Sequence, residues 1–84
     1  MKPIRLSRHA QQQMFFRGTT EDEVIECIET SQWQPTELGR LECRKNFLFE
    51  KEWNKRYYKY KQVRPIFVDE ENEIVVVTVY TYFF

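Results

Sequence analysis

Polar and apolar positions change their period along the chain, and each change predicts an element. Lys2 to Leu6 reads as a short extended start. Ser7 can then cap a helix by accepting from a free first-turn amide. That helix runs from Arg8 to Arg17 and stops at Gly18, which tolerates the left-handed turn of a helix end. At 100° per residue Ala10, Met14 and Arg17 share a face, with Gln13 beside them and His9 and Phe16 flanking it. Thr20 and Glu23 have the spacing of a capping box, and Glu21, Asp22 and Glu23 suit the positive helix end. The apolar stripe Val24, Ile25, Cys27, Ile28 predicts a second helix over about Glu21 to Thr30. Only Gly18 and Thr19 separate it from the first, so the two helices form an αα-hairpin. Gln32 to Gly39, with Pro35, reads as a loop.

From Arg40 the period becomes two. Leu41, Cys43, Phe47 and Phe49 fall on one side, and Glu42, Arg44, Asn46 and Glu50 on the other, as in a half-buried strand. Glu52 to Lys55 is a turn, and a second strand follows from Arg56 to Val68. Pro65 lies inside that strand and donates no ladder bond, which predicts an edge, a bulge or a break. Asp69 to Glu73 is a polar turn. The near-continuous apolar run from Ile74 to Tyr82 predicts a central strand covered on both faces. The resulting α+β order is β-α-α-β-β-β, a helical hairpin packed on an antiparallel sheet.

At 84 residues the chain is one domain with a small core. No apolar run is long enough for a membrane span, and the opening residues lack the apolar region of a signal peptide, so the expected location is the cytoplasm. Cys27 and Cys43 are not a secreted disulfide framework, and they read as buried thiols. Zinc would need both of them to converge with His9 and a carboxylate without any C-x-x-C spacing. Nothing in the pattern asks for a cofactor.

Charge changes the picture more than composition does. The formal net charge is zero, but Arg40 to Arg64 carries nine Lys/Arg against three acids. The residues before it carry four bases and six acids, and those after it four acids and no base. The basic stretch is also where Tyr and Trp crowd in. A neutral chain with a cationic, aromatic-studded sheet is suited to holding a polyanion locally.

Two blocks carry a resemblance. Ser7-Arg-His9-Ala10, then Met14-Phe-Phe-Arg17-Gly18, then Thr20-x-x-Glu23-Val24 form the first. Pro65-Ile-Phe-Val-Asp69 leading into Ile74-Val-Val-Val-Thr78-Val-Tyr80 form the second. Together they resemble the domain of unknown function 4258 family, over almost the whole chain. The family often places an Arg before the Met, where this chain has Gln13. More remotely, the element order is similar to that of RelE/ParE-type toxins. That likeness implies a metal-independent ribonuclease or a gyrase poison, or a degenerate relative, with an antitoxin-like protein as partner.

Metal-free RNA cleavage needs a base, an acid and cations for the phosphorane charge. His9, the single histidine, suits either proton role near neutral pH. Arg17 lies two turns on and Tyr80 offers a phenol, so His9, Arg17 and Tyr80 are the catalytic candidates. Arg44, Lys59, Lys61, Arg64 and Tyr58 are the candidate substrate-binding residues. Each has a plainer reading beside it. His9 could instead bond a sheet carbonyl, Arg17 could neutralise a helix C-terminus, and strand cations could guard edges. Alternation puts Lys59 and Lys61 on one face and Tyr58, Tyr60 and Arg64 on the other. The competing function is a non-catalytic module that grips RNA or an acidic protein partner. A third is self-association, with a homodimer formed through the aromatic end Tyr82-Phe83-Phe84, which needs cover.

Overall fold

The computed structural model describes residues 1–84 as two helices against one side of a six-stranded mixed sheet. The elements are β1 (Ile4–Leu6), α1 (Arg8–Arg17), α2 (Glu21–Thr30), β2 (Gln34–Pro35), β3 (Leu41–Glu42), β4 (Lys45–Trp53), β5 (Arg56–Asp69) and β6 (Ile74–Phe83), with one 3-10 turn at Glu37–Gly39. The sheet order is β1-β6-β5-β3-β2, and β4 pairs with a separate length of β5. No helix is long and apolar enough to cross a membrane.

The helices begin and end where their caps dictate. The Ser7 hydroxyl accepts from the Ala10 amide, and Gly18 closes α1 at φ 69°. In α2 the Thr20 hydroxyl accepts from the Glu23 amide, while the Glu23 carboxylate accepts from the Thr20 amide. Ala10 and Met14 from α1, and Val24, Cys27 and Ile28 from α2, meet Val63, Phe67, Val76 and Val79 of the sheet in one core. Each fully buried Val, Ile or Phe among them stabilises the fold by about 1.5–3 kcal/mol. Trp33 stands edge-on to Phe67 and donates its indole N–H to the Ile28 carbonyl, closing the end of α2.

The sheet departs from the expected pattern in three places. It is mixed rather than antiparallel, because β1 lies parallel to β6 with Ile4 opposite Ile74. The hydrophobic pattern marks a strand but not its direction, and the long intervening chain permits the crossover. The strand expected from Arg40 is broken at Cys43–Arg44 into β3 and β4, and β2 adds a further two-residue strand. At Pro65 the irregularity expected is a bulge: β5 runs unbroken, and one extra residue, Val77, sits close by in the partner strand. Tyr60 and Phe84 exchange both backbone bonds. By alternation the missing Pro65 donor would then point away from β6, toward the gap between β3 and β4. Finally, helices cover only one face of β6; Thr78 and Tyr80 are half-buried and Tyr82 is exposed on the other.

Candidate nucleic-acid interface

Because Val63, Phe67, Val76 and Val79 point into the helix-side core, their alternating neighbours point the other way. The register sets Gln62 opposite Tyr82, Arg64 opposite Tyr80 and Ile66 opposite Thr78. Tyr60 follows opposite Phe84, with the two rings stacked at 5.5 Å. The open face thus carries a row of rings on β6, at Tyr80, Tyr82 and Phe84, spaced about 6.6 Å apart as alternate strand residues are.

Two guanidinium groups lie over Tyr80 and reach it from opposite sides of β6. Arg64 comes from β5, 5.3 Å from the ring centroid. Arg17 comes from α1 at 4.7 Å and donates to the Val79 carbonyl at 2.9 Å. This is possible because β1 ends opposite Val76, leaving the next part of that β6 edge to α1. Gln13 plugs the same edge: its side-chain oxygen accepts from the Val79 amide at 3.2 Å and from the Thr78 hydroxyl. Arg64 is further held by the Glu42 carboxylate, with Nε at 2.8 Å, and by the Tyr82 hydroxyl at 3.3 Å. Burial alone would lower the Arg64 guanidinium pKa, but its bonds to Glu42 and Tyr82 outweigh that and raise it, so the cation is permanent.

Beside this stack lies a hollow of about 250 Å³ lined by Thr36, Glu37, Leu38, Arg40, Arg64, Ile66, Thr78 and Tyr80. Its rim is strained. Leu38 adopts φ 60° and is 83 % exposed, a left-handed backbone that costs a non-glycine residue roughly 1–2 kcal/mol. Two bonds clamp the rim, from the Thr36 amide to the Arg40 carbonyl at 2.8 Å and from the Arg40 amide to the Glu37 carbonyl at 3.1 Å.

Of the residues singled out from sequence, Arg17, Tyr80 and Arg64 come together. His9 does not join them. It is exposed in the first turn of α1, lines neither hollow, and stands eight residues, about 12 Å along the helix, from Arg17. Lys61 is on the helix side and buried, which removes it from the substrate-binding set. It donates to the Glu23 carboxylate at 2.8 Å and the Gly18 carbonyl at 3.0 Å, satisfying the end of α1 and the start of α2 together. Lys59 is exposed with its ammonium 5.6 Å from the Tyr60 ring. Tyr58 packs against Phe83, away from Tyr80, with Arg56 above its ring. Arg44 is exposed, 3.9 Å from the Glu42 carboxylate. Arg40, which the sequence reading counted only as charge, is the unforeseen member of the hollow. The Gly39 beside it was the one available signal of a shaped turn.

Cys27 and Cys43 are both buried as free thiols, their sulfurs 3.3 Å apart. The Cys43 S–H bond to Cys27 holds Cys27 below the ordinary thiol range against the effect of burial. The same bond, with burial, pushes Cys43 upward. No three His, Cys, Asp or Glu side chains gather as metal ligands. Comparison with family models, curated proteins and solved structures finds no match to this chain.

Proposed function

We propose that the chain binds single-stranded RNA across the open face of its sheet. The supporting observation is the Arg17–Tyr80–Arg64 stack, which puts two cations on one aromatic platform beside a hollow that adds Arg40. Guanidinium groups recognise phosphate oxygens with paired, charge-assisted bonds. Rings in a row accept successive bases without demanding a sequence. Glu42 and Glu37 keep the site from being a bare cationic patch, so phosphate must compete with a carboxylate for Arg64.

The test is fluorescence anisotropy with a labelled oligoribonucleotide at two salt concentrations. The expected result is salt-sensitive binding that weakens roughly tenfold in Arg64→Ala and in Tyr80→Ala and is unchanged in His9→Ala. Equal affinity for polyglutamate and RNA, or wild-type affinity in both open-face variants, overturns it.

A second reading is favoured by the same stack. Two guanidiniums around a phenol supply charge stabilisation and a proton donor for metal-independent scission, as in a RelE-type ribonuclease. Cleavage in EDTA that disappears in Tyr80→Phe and persists in His9→Ala is the expected mark of that activity. RNA that binds but stays intact leaves the binding module alone.

A further inference from the structure

We propose that Cys27 and Cys43 form a reversible intramolecular disulfide on exposure to peroxide, with Cys43 as the sulfur that oxidant reaches first. The inference does not depend on what the open face binds. It begins with position. Cys27 lies on the core side of α2, and Cys43 sits in the two-residue break between β3 and β4. Their sulfurs are already 3.3 Å apart, so they need to approach by only about 1.3 Å to reach bonding distance.

Access is uneven. Cys43 is only 2 % exposed, yet it lines a second hollow of about 190 Å³ with Gln32, Gln34, Glu42 and Arg44. Cys27 does not line it. The neighbouring backbone also interrupts the sheet. At Cys43–Arg44 there is no ladder pairing to β5, and Pro65 opposite has no N–H to offer. Segments with few such bonds open locally at low cost. A molecule as small as hydrogen peroxide therefore meets Cys43 in the folded chain.

The chemistry balances without any other reagent. The Cys43 sulfur attacks peroxide and breaks its O–O bond. One oxygen stays as sulfenic acid and the other leaves with the thiol proton as water. The Cys27 sulfur then displaces the sulfenic hydroxyl, which leaves with the second thiol proton as a second water, and the S–S bond forms. Peroxide is reduced by two electrons and the two thiols are oxidised by two. The first step is slow because Cys43 is held protonated. The second is fast because Cys27 is a nucleophile already in place.

The experiment is peroxide treatment of the full-length folded chain, followed by mass spectrometry of non-reduced peptides. The expected product is a Cys27–Cys43 cross-linked peptide that dithiothreitol releases. It comes with simultaneous loss of both thiols and a higher Tm for the oxidised chain, since the bond closes a 16-residue separation. In Cys27→Ser the reaction halts at a Cys43 sulfenic acid, trapped with dimedone. In Cys43→Ser the remaining thiol reacts roughly tenfold more slowly, as a buried thiol without an entry path does. Thiols that react only in denaturant, cross-links only between chains, or equal rates in the two variants overturn the proposal. The wild-type peptide map decides it even if a variant fails to fold.

Discussion

Lys61 and Arg64 stand three residues apart on β5 and end on opposite faces of the sheet, each against a glutamate. Lys61 is 5 % exposed, and its ammonium bonds only to the helical hairpin, at the Gly18 carbonyl and the Glu23 carboxylate, with the Phe49 ring of β4 5.2 Å away. Glu23 is itself engaged in the α2 capping box. Removing this cation would strip two helix ends at once. Arg64 is paired as closely with Glu42, but its other neighbours are Tyr80, Tyr82 and the hollow. Nothing in the helix layer depends on it. Lys61 thus ties the sheet to the helices, while Arg64 stands on the open face beside the hollow proposed above as a ligand site.

The largest effect expected from this contrast is in Lys61→Ala. Losing one partner of a buried pair costs about 3 kcal/mol, read as a fall in denaturant midpoint, with RNA affinity of the folded protein unchanged. Gly18→Ala presses on the same helix-side junction. Its Cβ would lie 2.9 Å from the Trp53 ring at φ +69°, so we expect a loss of roughly 2 kcal/mol from strain and clash. Arg64→Ala should do the reverse. RNA affinity falls about tenfold, or ~1.4 kcal/mol, with a much smaller change in unfolding free energy. Equal stability losses for Lys61→Ala and Arg64→Ala would break the comparison. Leu38→Gly relieves the left-handed rim and should raise stability by up to about 1 kcal/mol, measured by chemical denaturation. The smallest effect lies at the far end of the sheet, where Arg5 holds the exposed Glu73 carboxyl below its usual range. A depressed carboxylate stabilises above its unfolded pKa and loses that contribution as pH falls through the folded one. The acid limb of a stability–pH profile should therefore shift slightly, and Arg5→Ala should abolish the shift.

Helix boundaries were legible because caps are local: Ser7, Gly18, Thr20 and Glu23 act within four residues of themselves. The alternation of β5 was legible too, and it separated Lys61 from Arg64 before any coordinates. Strand direction was not, since Ile4 to Leu6 would read alike beside β6 either way. The break at Cys43–Arg44 was hidden because its cause, the donor missing at Pro65, lies on another strand. For the site, Arg17, Tyr80 and Arg64 were chosen for charge and phenol chemistry and they meet in space. His9 shares a helix with Arg17, but eight residues of helix carry it away from the stack. Arg40 was overlooked because its importance comes from the shape of the Thr36–Arg40 turn.

Gln13 shows how thinly one boundary of the sheet is closed. Where β1 runs out, a lone carboxamide occupies the amide of Val79 that another strand would otherwise claim. A substitution that shortens this residue would uncover a docking rail for a neighbouring molecule while leaving the interior intact. Such a chain would keep its melting behaviour when dilute and begin to self-associate as it is concentrated. Past β1, that edge is covered by the Gln13 carboxamide on the Val79 amide and the Arg17 guanidinium on the Val79 carbonyl.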